Sequence, residues 1–338
     1  MTMAQNATRG GFDPFNEIPA RLLRVRKQLL GGRFCFESES RALLKLVDMA
    51  YAGLPRHQLS TPPADFRIRL RLVPRESPMT ADEPPMLKTQ SGAGLLCGVM
   101  DAQNYAILYP DQRKALIVVS DDMLDRPYYP RYELIEFAVF TLAARAMGLV
   151  PLHGACIGRR GRGLLLLGAS GAGKSTLALH GLLQGLEFLA EDAVFVEPHS
   201  LLATGTANFL HLRADSLQAF TSAATIAWAQ QSAVIRRRSG VQKFELDLRG
   251  RNHRLAAAPL KLVAAIFVSS AQASDAQDLL QPLATAAVVE RLTADQPYAA
   301  TQPGWRSFVR QLSRMNLFEL RRGQGPQAAV AALSGLLG

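Results

Sequence analysis

Several features that would reveal a protein's class at once are absent from this sequence. It has only three cysteines, Cys35, Cys97 and Cys156, and no C-x-x-C pair. An odd number of widely spaced cysteines argues against a disulfide framework or a zinc site and fits a reducing cytoplasm. No apolar run reaches the roughly 18 residues of a membrane span, and the polar first residues contain no apolar segment of a secretory signal. We therefore expect a cytoplasmic protein without a membrane span.

Acidic side chains are also scarce relative to basic ones, because 28 Asp and Glu residues stand against 38 Lys and Arg residues. The net charge of +10 favours an acidic partner, and nucleic acid has to be considered. However, the basic runs carry no nucleic-acid recognition motif and are not interleaved with aromatic residues. We therefore predict that nucleic acid is not a partner and favour a solvated surface or a groove for an acidic peptide or nucleotide. The main basic groups are Arg21, Arg24 and Arg26, then Arg67, Arg69 and Arg71, and then residues 236–238.

A chain of 338 residues has room for about two domains. Residues 1–17 are polar and contain glycine, and we expect them to form a flexible N-terminus. Residues 18–128 predict a smaller, mostly antiparallel α+β accessory domain. A long apolar helix over residues 131–148 is expected to pack on the second domain. We therefore place the boundary just before it and assign residues 129–338 to that domain.

Within the accessory domain, helices and strands are both indicated. Leucines and a valine near helical spacing over residues 18–30 predict a helix, which Gly31 and Gly32 end. Ser38 is expected to be the N-cap of a second helix that ends at residues 53–55. Strict alternation over residues 66–72 predicts a half-buried strand with arginines on its solvent face. Further strands are expected at residues 33–36, 95–99, 105–109 and 115–119, with a breaker-rich loop at residues 74–92.

One stretch of the second domain fits the pattern G-x-x-x-x-G-K-[ST], and we call residues 168–176 the glycine loop. Four leucines precede it and a helical pattern follows, which is the context that this motif needs. Glycines let several backbone N–H groups point at one place, and the helix N-terminus adds positive charge there. Lys174 would reach the β- and γ-phosphates of a nucleoside triphosphate, and Ser175 would ligate Mg²⁺; the alternative is a glycine-rich turn before a helix. The expected nucleotide-binding residues are Gly168, Ala169, Ser170, Gly171, Ala172, Gly173, Lys174, Ser175 and Thr176.

Two acidic side chains interrupt the strand predicted over residues 188–196. Burying Glu191 and Asp192 there is costly unless a cation or a hydrogen-bonding partner compensates, so the pair is a positive signal. His153 lies on a strand over residues 152–157, which is expected to form a hairpin with the strand that enters the glycine loop. Later strands are expected at residues 210–213, 244–248, 262–268 and 317–320, and helices at residues 286–292, 305–315 and 326–337.

Taken together, residues 152–196 resemble the catalytic core of bacterial HPr kinase/phosphorylase. The shared pieces are a His-Gly pair at 153–154, a glycine turn at 161–163, the glycine loop, a turn glycine at 185 and an acidic pair followed by Ala-Val. The resemblance implies an α/β fold: a P-loop kinase core of the HPr kinase/PEP carboxykinase type with a smaller N-terminal α+β domain. It also implies an enzyme, a serine kinase that uses ATP and Mg²⁺ to phosphorylate a hydroxyl of a protein or peptide.

The resemblance implies a role for each residue of this constellation. Lys174 and the loop amides would hold the phosphates, and Ser175 would hold Mg²⁺. Asp192 would take the proton from the incoming serine hydroxyl as general base, with His153 beside it. Glu191 stands where the family usually has aspartate, and it would assist the base or the metal. This division suits phosphoryl transfer, which depends on positioning and on neutralisation of charge.

Other parts of the chain depart from the family pattern. The metal-binding glutamate of the family has no clear match, and Asp215, within residues 211–216, is the substitute that the spacing offers. Lys243, Arg249 and Arg251 are candidates to face a phosphate, and each is also explained as a surface charge. The N-terminal third does not resemble the family's first domain. The chain therefore looks closer to HPr-kinase-like enzymes that act on other serines, such as those of modified peptides.

Two other functions stay open: a nucleotide-binding regulatory or assembly ATPase whose N-terminal module binds a partner, and a small-molecule kinase. In such an ATPase, Asp192 would accept a hydrogen bond from metal-bound water. His153 would then be a core histidine, and Glu191 a surface residue at a strand bulge. The closeness of the acidic pair to Ser175 in sequence favours the kinase. The resemblance also implies a homo-oligomer as one form of the protein.

Overall fold

The computed structural model describes residues 21–76, 83–250, 253–275, 278–323 and 325–338. These residues form a mixed α/β structure with three sheets. The expectation of a flexible N-terminus at residues 1–17, and Arg251 among the phosphate candidates, lie outside the described residues. No helix of the described part is both long and apolar enough to cross a membrane.

The first sheet contains seven strands in the order β1-β2-β3-β7-β6-β5-β4. Strand β2 pairs in parallel with β3, and β3 in parallel with β7, whereas the other four pairings are antiparallel. The sheet is thus mixed, and β4 falls where the sequence predicted a loop. The strands are β1 (Leu23–Leu29), β2 (Gly32–Ser38), β3 (Asp65–Val73), β4 (Lys88–Gly92), β5 (Leu95–Asp101), β6 (Asn104–Tyr109) and β7 (Lys114–Ser120).

Strand β1 corrects the helix predicted over residues 18–30. Its residues alternate between intermediate and exposed positions over Leu23, Arg24, Val25 and Arg26, which is a period of two. It forms a hairpin with β2 through Leu30 and Gly31, which both have positive φ values of 53° and 83°. That two-residue turn matches the twist of an antiparallel pair, so the glycines join two strands and do not end a helix.

Two helices cover one face of this sheet. Helix α1 (Arg41–Tyr51) is capped by Ser40, whose hydroxyl accepts from the Leu43 N–H, and not by Ser38 as predicted. A π-helical segment (Tyr129–Glu136) leads into α2 (Phe137–Met147), which ends at Gly148 in the left-handed conformation. The buried side chains of α2 share one core with those of α1 and the first sheet. The helix also reaches the second sheet, because the Phe140 ring meets that of Phe195 in the second sheet at 4.8 Å, and the domain boundary before it stays a prediction.

The second sheet contains nine strands, and the parallel strands β10, β17 and β19 lie side by side at its centre. Its main path runs β11-β9-β10-β17-β13-β12-β8. The predicted hairpin into the glycine loop forms between β9 and β10, but the strand predicted over residues 152–157 is broken at Gly154, and His153 lies on β8, which pairs with β12. The strands are β8 (Val150–His153), β9 (Ala155–Arg159), β10 (Arg162–Leu167), β11 (Glu187–Ala190), β12 (Ala193–Val196), β13 (Leu202–Thr204), β17 (Leu260–Gln272), β18 (Leu280–Pro282) and β19 (Asn316–Arg322); a third sheet has β14 (Phe209–Arg213), β15 (Ala233–Arg236) and β16 (Gln242–Asp247).

Helices pack on both faces of the second sheet. Leu164 and Leu166 of β10 face the core that contains α3 and α8, whereas Leu165 and Leu167 face the core that contains α5 and α7. A strand that is buried on both faces reads as a continuous apolar run, which explains the four leucines before the glycine loop. The helices are α3 (Lys174–Leu183), α4 (Ala223–Gln231), α5 (Thr285–Asp295), α6 (Pro297–Ala300), α7 (Trp305–Leu312) and α8 (Pro326–Leu337).

A short segment between α1 and β3 joins the two halves of the molecule. The buried His57 bonds through its two ring nitrogens to the Thr204 hydroxyl, at 2.7 Å, and to the Ala256 carbonyl, at 2.9 Å. Next to it, the Glu197 carboxylate accepts hydrogen bonds from Ser60 and Thr61. The two sheets are therefore fixed to each other by buried polar contacts.

Candidate functional site

The glycine loop connects the end of β10 to the start of α3. Gly168, Gly171 and Gly173 have φ values of 135°, 82° and 104°, which favour glycine. At Gly168 a Cβ atom would lie 2.6 Å from the Val268 carbonyl oxygen, so the close approach to β17 also requires glycine there. The loop thus turns sharply at the carboxyl end of a central parallel strand, which is where α/β sheets bind ligands.

Lys174 stands at the first residue of α3 and folds back over the glycine loop. Its ammonium group donates to the Gly168 carbonyl at 2.8 Å and to the Ala169 carbonyl at 3.1 Å. Burial lowers the pKa of Lys174, and the nearby charges of Asp192 and Glu191 raise it by less. The Lys174 ammonium group is therefore held inside the glycine loop, with the carboxylates of Glu191 and Asp192 nearby.

The acidic pair lies between two strands and not within one, which corrects the continuous strand predicted over residues 188–196. Strand β11 pairs with β9, whereas β12 pairs with β8, so the chain changes partner at the pair. Asp192 has a φ of 71°, which an extended strand does not allow. Its carbonyl accepts from the Gly154 N–H at 3.4 Å, at the break between β8 and β9. The interruption brings both carboxyl groups towards the glycine loop.

Glu191 is almost fully buried, and its partners are Ser175 and His211. Its side chain is 3% exposed. One carboxylate oxygen accepts from the Ser175 hydroxyl at 2.5 Å, and the other is 3.2 Å from His211 Nδ1 and 3.3 Å from the His211 backbone nitrogen. The structure therefore brings Ser175 and Glu191 together, as the sequence-based site required.

Asp192 is held by a different cation. Arg237 donates to its carboxylate at 2.5 Å, and His153 Nδ1 lies 3.6 Å from the other carboxylate oxygen. Burial raises the pKa of Asp192, but the positive charges of Arg237, His153 and Lys243 lower it by more than burial raises it. The pKa of the carboxyl group is therefore below its ordinary value. Asp192 is consequently ionised at neutral pH.

His153 lies at the rim of the site. Its side chain is 51% exposed, so it is not a core histidine. The Gln296 side chain clamps its backbone, accepting from the His153 N–H at 2.8 Å and donating to the His153 carbonyl at 2.9 Å. His153 Nδ1 is 3.1 Å from the Asp192 carbonyl oxygen. The junction of α5 and α6 therefore positions His153 next to the acidic pair.

A second layer of polar residues lies behind the pair, and sequence reasoning missed it. His211 Nε2 is 3.0 Å from the Tyr132 hydroxyl, and that hydroxyl donates to Glu245 at 2.5 Å. Arg131 completes the layer with a bond of 2.8 Å to Glu245, and both side chains are buried. Burial raises the pKa of Glu245, but His211 and Arg131 lower it, to about 2. Burial lowers the pKa of His211, whereas Glu191 and Glu245 raise it above its ordinary value.

One signal for this layer was present in the sequence. His211 on β14 and Glu245 on β16 are register partners in the third sheet, and His211 is a polar residue among the apolar residues of β14. Buried polar residues need partners, so the two predicted strands could have been paired through them. Arg131 and Arg237 offered no comparable signal, because arginines are common throughout this chain.

Three side chains could together hold a metal ion: Glu191, Asp192 and His211, whose ligand atoms lie within 4.8 Å of one another. The two carboxylates and the Ser175 hydroxyl suit Mg²⁺, which prefers oxygen ligands. His211 suits that ion less well, because it donates to Glu191 and its pKa is raised. Asp215 is not brought into this group: it is exposed and pairs with Arg213 at 2.8 Å.

The other candidate cations fall in different places. Lys243 lines the cavity above the glycine loop. Arg249 lies elsewhere: it pairs with Asp247 at 2.7 Å and donates to the carbonyls of Met49 and Ala52. Arg249 therefore has a structural role. Arg237, which the sequence showed only as part of a basic run, reaches the acidic pair.

The glycine loop, the acidic pair, His153, His211, Arg237 and Lys243 open into one cavity of about 880 Å³. The glycine loop forms one wall, and the acidic pair, His153 and Lys243 form another. The carboxyl ends of β17 and β19, with Val268 and Leu320, and the start of α8 close the far side. A cavity of this size is within the range of about 300–1,000 Å³ that holds cofactors and substrates.

Comparison with known proteins adds little to this geometry. The chain matches no protein-family model and no curated protein. Among solved structures it is similar to the HPr(Ser) kinase/phosphatase from Coxiella burnetii, with 12% sequence identity over 55% of this chain and 88% of that chain. The TM-score of that match is 0.28, which marks a distant likeness that supports no statement about function.

Proposed function

We propose that this protein is a kinase that binds ATP with Mg²⁺ at the glycine loop and transfers the γ-phosphate to a serine hydroxyl of a protein or peptide. The observation that supports it is the meeting of Lys174 and Ser175 with the carboxylates of Glu191 and Asp192 in one cavity. A triphosphate needs N–H donors and cations, and an incoming hydroxyl needs an acceptor for its proton. Both kinds of group are present in this cavity.

The glycine loop fits a phosphate on chemical grounds. Three glycines with positive φ values curl the backbone, and the N-terminus of the ten-residue helix α3 lies at the end of the loop. Both features concentrate partial positive charge. The Lys174 ammonium group, which caps two carbonyls of the loop, would hold phosphate oxygens together with the loop N–H groups.

Ser175 and Glu191 fit Mg²⁺. Their oxygen atoms are 2.5 Å apart, and hard oxygen donors of this kind are the ligands that Mg²⁺ prefers. When bound, Mg²⁺ neutralises the negative charge of the phosphates. Asp215, the metal ligand that the sequence suggested, has no place in this part of the proposal.

Asp192 is the proposed general base. It is ionised at neutral pH because Arg237, His153 and Lys243 hold its pKa low in spite of burial. Phosphoryl transfer depends mainly on positioning and charge stabilisation, so a weakly basic carboxylate is sufficient to orient a hydroxyl and accept its proton. Arg237 and Lys243 add positive charge where charge accumulates during transfer.

A transfer assay with γ-labelled ATP and a mixture of cellular proteins tests the proposal. We expect label on serine with the wild type and none with Lys174→Ala, together with weaker binding of a fluorescent ATP analogue by that variant. Unchanged nucleotide affinity in Lys174→Ala would remove the glycine loop from the site. Hydrolysis of ATP without any labelled acceptor would instead favour the assembly ATPase, and label on a small alcohol would favour the small-molecule kinase.

The first sheet is proposed to serve as an accessory domain for the kinase. Its boundaries at residues 18–128 stay a prediction, and so does homo-oligomeric assembly. Arg67 and Arg69 on the outer face of β3 lie 3.8 Å and 3.7 Å from Glu37 and Glu39, so part of their charge is balanced locally. Arg67 remains 64% exposed and is available to an acidic partner.

A further inference from the structure

Beside the large cavity lies a smaller and mostly apolar pocket of about 310 Å³. It is formed where α2 of the first half meets β8 and β12 of the second half and the junction of α5 and α6. Phe140 and Phe195, whose rings meet edge to face at 4.8 Å, belong to one wall, and Tyr298 to another. The proposed function has so far given this pocket no role.

The pocket and the large cavity share His153 and Asp192 as lining residues. The proposed base therefore stands between the place assigned to the nucleotide and an apolar opening. An acceptor hydroxyl that reaches Asp192 has the glycine loop on one side and this pocket on the other. The part of the acceptor next to the hydroxyl is the part that the pocket would receive.

We propose that this pocket binds a large apolar side chain directly next to the acceptor serine, so that the substrate is a peptide segment with a residue such as leucine or phenylalanine at that position. The inference rests on the proposed kinase function. The volume of the pocket, about 310 Å³, is at the lower end of the range of about 300–1,000 Å³ for ligand sites. Such a volume suits one side chain better than a whole cofactor.

The polar residues around the pocket do not provide for a charged neighbour. The Gln296 amide is occupied by the His153 backbone, and the two carboxylates have cations of their own. Asp192 is bound by Arg237, and Asp295 lies 3.6 Å from Arg291. A charged side chain placed there would lose hydration and compete with ion pairs that Asp192 and Asp295 already form, whereas an apolar one would bury surface against aromatic walls.

Peptide substrates test this inference with the full-length protein. Short peptides that contain one serine in an alanine and glycine background would carry leucine, phenylalanine, alanine, aspartate or lysine immediately before or after it. We expect kcat/KM for labelling with γ-labelled ATP to be at least about tenfold higher with leucine or phenylalanine than with alanine on one side of the serine. Aspartate and lysine at that position should give the lowest values.

Substitution of Tyr298 in the pocket wall tests whether the preference for an apolar residue next to the serine arises from this pocket. Tyr298 is 50% exposed, so Tyr298→Ala removes an aromatic wall without opening the core. We expect this variant to lose most of the preference for an apolar neighbour through a higher KM, and Tyr298→Phe to keep it. Leu183→Ala, at a residue that is 42% exposed and lines neither cavity, is the matched control and should keep it as well.

The outcomes separate this inference from the function on which it rests. Equal labelling of all peptides, or a full apolar preference in Tyr298→Ala, would overturn the pocket assignment while the kinase stands. If neither peptides nor cellular proteins accept label from wild-type protein that binds ATP, the kinase proposal fails and the pocket assignment fails with it. Thermal unfolding and nucleotide affinity of each variant identify any general loss of structure.

Discussion

Two sets of buried or half-buried carboxylates in the second half of the molecule have different partners. Glu197, which is 5% exposed, receives its hydrogen bonds from uncharged groups: the hydroxyls of Ser60, Thr61 and Ser200 and the Thr61 N–H. These donors belong to fixed backbone or to short side chains. They join the segment before β3 to the end of β12, so this carboxylate holds the two halves together.

The acidic pair has the Ser175 hydroxyl as one partner, and its other side-chain partners are histidine and arginine. Glu191 is bound by His211 and Ser175, and Asp192 by Arg237, which is 25% exposed. The long Arg237 side chain can exchange Asp192 for a ligand, whereas the donors of Glu197 are short side chains and one backbone N–H of the segments that join the two halves. Burial of a carboxylate alone therefore does not indicate function; the kind of partner separates a structural group from a functional one.

We expect the largest effect of any substitution in these two sets of carboxylates to be the loss of phosphoryl transfer when Asp192 is replaced. Asp192→Asn keeps the shape of the side chain but removes the proposed base, and we expect phosphoryl transfer to fall by about 10²–10⁴-fold. Transfer of label from γ-labelled ATP measures this effect, with nucleotide affinity as the check on folding. ATP hydrolysis that continues unchanged in this variant, without any labelled acceptor in the wild type, would contradict the role of Asp192 as base.

Loss of Glu197 should act on stability and leave nucleotide binding alone. Glu197→Ala removes a buried carboxylate and its charge-assisted hydrogen bonds from Ser60, Thr61 and Ser200, and we expect the free energy of unfolding to fall by about 3 kcal/mol. Urea unfolding measures this change. Glu290→Ala, at an exposed glutamate on α5, is the control and should change stability little. Weakened ATP binding in Glu197→Ala would show that the two carboxylate sets are not separate.

The pH dependence of stability provides a further comparison. Burial raises the pKa of Glu197, but the hydrogen bonds from Ser200, Ser60 and Thr61 lower it from 4.5 to about 2. Because the pKa is lower in the folded state, the ionised carboxylate stabilises the fold at pH values above the unfolded pKa of 4.5. This stabilisation is lost as the pH falls from 4.5 towards 2. We expect the protonation of Glu197 to lower the free energy of unfolding by about 2 kcal/mol by about pH 3.

Glu197→Gln, which cannot titrate, tests that expectation in urea unfolding at a series of acidic pH values. Its stability should decline less steeply than that of the wild type in this range. Glu245, whose pKa is also about 2, titrates in both proteins and cancels in the difference. Parallel pH curves for the two proteins would mean that the carboxylate of Glu197 is not stabilised by its hydroxyl partners.

Much of the second half could be predicted from local patterns. The strand, glycine loop and helix around Lys174 form a continuous motif, and the leucine run before it fits a strand buried on both faces. The acidic pair was recognised because carboxylates within an apolar strand require compensation. These signals lie within a few residues of one another, so no knowledge of the tertiary structure was needed.

The groups that complete the site come from distant parts of the chain. His211 and Glu245 lie on the third sheet, Arg237 directly follows its strand β15, and Arg131 and Tyr132 lie on the π-helical segment. Apart from the polar pair of His211 and Glu245, nothing in the local sequence connects these residues, because their meeting depends on how the third sheet packs against the segment before α2. The same limit explains the helix predicted in place of β1, where the two-residue turn and the pairing with β2 decide the structure.

The smallest effect is expected at Asp215, where sequence and structure give different expectations. The side chains of Asp215 and Arg213 are 59% and 47% exposed, and surface ion pairs of this kind contribute about 0–1 kcal/mol. Asp215→Asn should therefore change the free energy of unfolding by less than about 0.5 kcal/mol. Because Asp215 lies outside the group formed by Glu191, Asp192 and His211, its loss should also leave the Mg²⁺ dependence of transfer unchanged. Titration of Mg²⁺ in the transfer assay checks this, and a marked rise in the Mg²⁺ concentration required would show that Asp215 moves into the metal site when nucleotide binds.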